Sequence, residues 1–158
     1  MDRKLTDLSL EELWELFPII LNEHNPQYFQ WYDIEKQNIL NALDNNLISS
    51  INHIGSSAVP GLISKPTVDI LLEVVDDCDL SGLIYKLSSF GWMLMSTEDK
   101  PARLKFCKGY TINGFSDKVY HLHLRYNGDW DELYFRDYLL EWNFWMNRLF
   151  IQKFHSKM

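Results

Sequence analysis

The chain has 158 residues, 46% apolar and 23% charged, a balance that fits a single globular domain with its own core. Its 15 basic and 22 acidic residues give a formal charge of −7, which argues against duplex nucleic acid as a partner. Cys78 and Cys107 lack metal-site spacing and no apolar run reaches membrane-spanning length, so the chain reads as cytoplasmic, with free thiols and no membrane partner.

Ser9-Leu10-Glu11-Glu12 has the form of a capping box, and Leu10, Leu13, Trp14 and Phe17 follow with helical spacing until Pro18 stops the helix. Ile19-Ile20-Leu21 reads as a short extended segment. Asn25-Pro26 opens a second helix with Phe29, Tyr32, Lys36, Ile39, Leu40 and Leu43 as its inner stripe, and Asp44-Asn45-Asn46 ends it. Residues 47–54 and 68–75 read as strands. Asp76, Asp77 and Asp79 suit the dipole at the next helix start, and Gly91 suits its end.

Strands are expected over 92–95 and 102–108, joined by a polar turn with Lys100-Pro101, and a loop from Gly109 to Ser116. Residues 118–126 alternate most clearly: Tyr120, Leu122, Leu124 and Tyr126 share one face, and Val119, His121, His123 and Arg125 the other. A long helix follows from about Asp129. The expected architecture is α+β: a mixed sheet with helices packed mainly on one face.

The chemistry concentrates between His53 and Asp69. The run His53-Ile54-Gly55-Ser56-Ser57-Ala58-Val59-Pro60-Gly61 ends a strand in a Gly-Ser turn, and Lys65-Pro66 leads into a very apolar strand that carries Asp69. A glycine-serine turn that frees backbone N–H groups beside a strand carboxylate suits a metal-bound triphosphate. Asp69 is read as a metal-binding acid, with pairing to Lys65 as the structural alternative. Lys65 either holds that acid or binds phosphate.

Glu73 shares the face of Asp69 but lies about 7 Å further along the strand, and Leu71 occupies the position between them. His121 and His123 project to one side as a ligand pair, or else as two polar groups on a solvated sheet face, with Arg125 extending the stripe. His53 either reaches Asp69 or substrate, or is structural. In Phe135-Arg136-Asp137-Tyr138, Arg136 is a candidate phosphate contact, whereas Phe135, Tyr138, Leu139 and Trp142 have the spacing of a core stripe.

Several of these motifs in register resemble the signature of the bacterial GrpB family: the run 53–61, then Lys65-Pro66 and Asp69-Ile70-Leu71, then His121-Leu122-His123-Leu124, and Phe135-Arg136-Asp137-Tyr138-Leu139. Leu13-Trp14, Phe17-Pro18 and His24-Asn25-Pro26 extend the likeness over roughly residues 9–141. The resemblance implies a nucleotidyltransferase-like fold of the polymerase-beta type over the single domain 1–158. It also implies metal-dependent transfer of a nucleotidyl group from a nucleoside triphosphate to a small acceptor.

On that reading Gly55, Ser56 and Ser57 form the phosphate turn, with Lys65, His53, Arg125 and Arg136 as further substrate contacts. Asp69, His121 and His123 are both the catalytic set and the ligands of a divalent metal, Mg²⁺ or Mn²⁺. The superfamily's second acid falls on Leu71, which favours instead an inactive module that binds a nucleotide or metabolite. A metal-dependent hydrolase built on His53, His121, His123 and Asp69 is a third reading. The aromatic tail 142–158 departs from the family pattern and is expected to favour self-association.

Overall fold

The computed structural model describes residues 3–100 and 102–155, with backbone only for 150–155. Pro101 of the expected turn and the tail side chains beyond Leu149 lie outside the described residues. Four helices and five strands follow in the order α1 (Leu10–Leu16), α2 (Tyr28–Ala42), β1 (Ile48–Ile54), β2 (Thr67–Val74), α3 (Leu80–Ser89), β3 (Met93–Asp99), β4 (Ala102–Thr111), β5 (Gly114–Tyr126) and α4 (Asp131–His155).

The strands form one mixed sheet in the order β1-β2-β5-β4-β3. β2 and β5 run parallel at its centre, and the other neighbours are antiparallel. The two chemistry-bearing strands are therefore adjacent although 54 positions separate Asp69 from His123. Their register sets Asp69 opposite His121 and Leu71 opposite His123.

One face of the sheet carries the main core. Val68, Ile70, Leu72 and Val74 of β2 and Tyr120, Leu122 and Leu124 of β5 pack there with Ile39 of α2 and Leu83 and Leu87 of α3. The period-two alternation read in both strands is the pattern that separates this face from the polar one. Caps follow local chemistry. Ser9 accepts from the Glu12 amide at 3.2 Å while the Glu12 carboxylate accepts from the Ser9 amide at 2.8 Å. Asp79 caps α3 through the Ser81 amide, and Gly91 takes a positive φ after it.

Three expectations shift. Of the expected stripe of α2, Ile39 and Leu43 are buried and Tyr32 and Leu40 pack against the core, but Phe29 is exposed, Lys36 is half-buried, and Tyr28 and Glu35 are buried instead. Helix α2 starts at Tyr28, after a turn in which the Asn25 side chain accepts from the Gln27 amide. Buried Glu35 is tolerated because the Lys108 ammonium donates to it at 2.6 Å. On α1, Leu10 and Trp14 stay exposed, and the helix is held through Phe17, whose ring lies 4.9 Å from that of Tyr110.

The segment 109–116 is not a loop. β4 runs on to Thr111 and β5 begins at Gly114, so Tyr110 pairs with Phe115 in a tight hairpin. A register shift between Lys108 and Tyr110 carries the irregularity that reads in sequence as a break, and Gly109 sits there at φ +93°.

A Cβ at Gly109 would lie 2.3 Å from the Lys118 carbonyl oxygen, whereas one at Gly128, φ +99°, meets nothing within 4 Å. Gly128→Ala is therefore expected to lose only the ~1–2 kcal/mol of an unfavourable φ. Gly109→Ala is expected to lose well beyond that, because the obstruction is backbone. Urea unfolding of the two variants checks the difference.

Candidate functional site

The polar face of β2 and β5 brings three predicted residues together. The Asp69 Oδ1 atom lies 3.3 Å from His123 Nε2 and 3.5 Å from His121 Nδ1. Parallel pairing places Asp69 level with His121, and the next pleat of β5 puts His123 on its other side.

The other Asp69 oxygen faces the Gly-Ser turn, Ser56–Ala58, which follows β1 directly. A Cβ at Gly55 would lie 2.7 Å from Asp69 Oδ2, and Gly55 has φ +70°. Glycine is thus required twice at this position, for its conformation and for its approach to the carboxylate.

Two residues that sequence reasoning missed complete the cluster. Glu132, in the first turn of α4, accepts from His123 Nδ1 at 3.0 Å. Tyr110 hydrogen-bonds His121 Nε2 through its hydroxyl at 2.9 Å. Tyr110 was concealed by reading its segment as a loop. Glu132 reads in sequence as an ordinary acid at a helix start, and only the position of α4 gives it a partner.

Burial opposes charge on His123, but its bonds to Asp69 and Glu132 prevail and raise its pKa above the ordinary value. An imidazolium there donates to a carboxylate at each ring nitrogen. Asp69 is lowered despite burial by hydrogen bonds from His121 and His123, and Glu132 is lowered first by its bond to His123. Burial pushes the Tyr110 hydroxyl up to about 12, so it stays protonated.

The divalent metal is a separate matter. Among the described residues no group of three or more His, Cys, Asp or Glu is placed to hold a metal ion. Both nitrogens of His123 already face carboxylates, Asp69 at 3.3 Å and Glu132 at 3.0 Å. The residues as arranged do not fit the implied metal set.

The remaining candidates lie elsewhere. His53 pairs in register with Ile70, so it points to the helix-covered face, away from Asp69. Its Nε2 is 2.9 Å from the Ser57 hydroxyl, and its ring stacks on Tyr32 at 4.9 Å. The same contact commits the side chain of buried Ser57. Ser56 remains half-exposed at the turn.

Lys65 makes no ion pair with Asp69 among the described residues; it lines a cavity at the start of β2. Arg125 is 2% exposed and donates to the Leu104 and Leu124 carbonyls and to Glu132, so it clamps α4 to the sheet. Arg136 lies at the outer edge of β1, bonded to Asp137 and, at 3.4 Å, to the His53 carbonyl. Glu73 is buried and takes the Ser50 hydroxyl, and Leu71 beside it is fully buried.

A mixed five-stranded sheet flanked by helices, with an acid set between two imidazoles against a Gly-Ser turn, defines the class of α+β protein. The description "GrpB protein" matches residues 18–143, and the chain belongs to the GrpB family.

Among relatives, the chain is similar to UPF0157 protein BH1888 of Halalkalibacterium halodurans, 36% identical over 59% of this chain and 50% of that protein. It is also similar to Glutamate-rich protein GrpB of Alkalihalophilus pseudofirmus, 29% identical over 77% of this chain and 71% of that one. The crystal structure of conserved protein GrpB from Enterococcus faecalis superposes with a TM-score of 0.65 at 26% identity, covering 77% of this chain and 73% of that one. The chain spans half of the first of these relatives and 37% of UPF0157 protein PA4798 of Pseudomonas aeruginosa, to which it is 36% identical over 56% of its own length.

Burial lowers the His53 pKa to about 4. Between the unfolded value near 6.5 and 4, the unfolded chain takes up a proton that the native chain refuses. Stability is expected to fall by about 3 kcal/mol as pH drops through that window. His123 acts at the opposite end: the stability it adds is complete below the unfolded value and disappears as pH rises through its raised one. Urea midpoints from pH 7 to 4.5 are expected to fall steeply in the native chain and much less in His53→Phe.

Proposed function

We propose that this chain binds the phosphate groups of a nucleotide or a related metabolite between the Gly55–Ser57 turn and the Asp69–His121–His123 cluster, without two-metal nucleotidyl transfer. The observation that carries the reading is the meeting of the Gly-Ser turn with a carboxylate that is itself held by two imidazoles. Such a turn presents backbone N–H groups to an anion, and an imidazolium at His123 together with Arg125 on Glu132 offsets the two nearby carboxylates.

What favours binding over transfer is the second face of β2. Two-metal transfer requires paired acids that clamp the attacking and leaving oxygens. Here the position after Asp69 on that face is buried Leu71, and Glu73 is turned into the Ser50 hydroxyl.

The transfer reading has one observation of its own. Asp69, His121 and His123 converge beside the Gly-Ser turn, where the polymerase-beta resemblance would put its catalytic set. On that reading a divalent ion, Mg²⁺ or Mn²⁺, would have to arrive with the triphosphate, and Ser56 and the Gly55 turn would position the phosphates.

Thermal unfolding with each common nucleoside triphosphate, with and without Mg²⁺ or Mn²⁺, separates the two. A triphosphate at a hundred times its Kd adds about 2.7 kcal/mol, a rise of roughly 5–10 °C for a chain of this size. The binding reading expects that rise, its loss in Asp69→Asn, and pyrophosphate release at the buffer background. Release above background in either metal establishes transfer instead. No rise with any triphosphate removes both.

A further inference from the structure

The polar face carries a cavity that the phosphate site leaves unused. It has a volume of about 220 Å³ and lies at the start of β2 and β5, with Thr67 and Val119 in its floor. These two are one pleat, about 7 Å, from Asp69 and His121 on the same face. Phe17, Tyr110 and Phe115 form an aromatic wall whose ring centroids lie 4.9 to 5.2 Å apart. Tyr110 belongs to both sites, because its ring lines the cavity and its hydroxyl holds His121.

We propose that this cavity receives a one- or two-ring aromatic group that is tethered to the phosphate bound beside Asp69, with Lys65 at the rim meeting the ligand's negative charge. The inference rests on the phosphate-binding reading above and adds the second half of the ligand to it. Size, lining and charge each point the same way. A cavity of ~150 Å³ lined by aliphatic and aromatic side chains takes a benzene ring, so one of about 220 Å³ has room for a slightly larger ring system.

Tilted aromatic walls favour offset or edge-on packing against a flat ring. Ile19 and Ile20, which also line the cavity, are 80% and 51% exposed. A seated ring would remove that apolar surface from water. Lys65 has no carboxylate partner among the described residues, which leaves its ammonium available for an anion. Asp117 at the same rim disfavours a second negative charge on the ring itself.

The test uses the full chain and two probes, 1-naphthyl phosphate and inorganic phosphate, followed by NMR. The proposal expects naphthyl phosphate to bind at least tenfold more tightly, with contacts from its ring protons to the Ile19, Ile20 and Val119 methyl groups. Both probes are expected to shift the Ser56 and Ser57 amides. Val119→Phe fills the floor of the cavity and is expected to bring naphthyl phosphate down to the affinity of inorganic phosphate. Ser116→Trp does the same from an exposed position of the lining that leaves the core untouched. Lys65→Gln is expected to weaken naphthyl phosphate several-fold.

Absence of ring contacts to the three methyl groups, while inorganic phosphate still shifts the Ser56 and Ser57 amides, overturns the cavity assignment and spares the phosphate reading. Ring contacts in the cavity without any phosphate shift at the turn overturn the phosphate reading, and with it the proposed tether.

Discussion

The Asp69 carboxylate has one oxygen between two imidazoles and the other against the backbone of Gly55. An acid so placed is half-buried, and burial alone would push it toward neutrality. The hydrogen bonds from His121 and His123 outweigh that cost and keep it ionised. The polar face of the sheet is organised around this compensation. Gly55 is tied to it by contact, Tyr110 and Glu132 orient the two imidazoles, and Arg125 in turn fixes Glu132.

The sheet makes the arrangement possible because its two faces have opposite tasks. The face under α2 and α3 is apolar and sets the pairing of β2 with β5. A slip of β2 by one residue against β5 would carry Ile70 into the polar face, so the core enforces the register that the site needs. α4 is anchored on the polar face through Glu132 and, further along, through the Asn143 side chain on the Pro60 carbonyl. Between those anchors and beyond, Tyr138, Trp142, Phe144 and Trp145 remain exposed, so the spacing that reads as a core stripe belongs to a helix only partly seated on the sheet.

What was legible in the sequence was whatever depends on local pattern. The alternation over 118–126 gave both faces of β5, the Ser9 box gave the start of α1, and Gly55 with Asp69 marked the turn and its acid. Partners brought from distant segments were not legible. His53 reads as a member of the Asp69 site because it precedes the turn by two residues, yet strand parity sends it to the opposite face, onto Tyr32.

Arg125 has the parity of a site residue, and only the arrival of Glu132 and the strand-end carbonyls shows it to be a clamp. The same limit hid Tyr110, since a strand that resumes after a bulged glycine has no periodic signature across the interruption. Family membership, read from motifs in register, matches over residues 18–143.

The cluster depends on a proton at His123, whose two ring nitrogens each face a carboxylate. NMR titration of the imidazole nitrogens reads this directly, in the native chain and in Asp69→Asn. His123 is expected to titrate above the ordinary histidine value, and removing the Asp69 charge is expected to move its midpoint down. A His123 that titrates at or below the ordinary value in the native chain, or that is unmoved by Asp69→Asn, would contradict it.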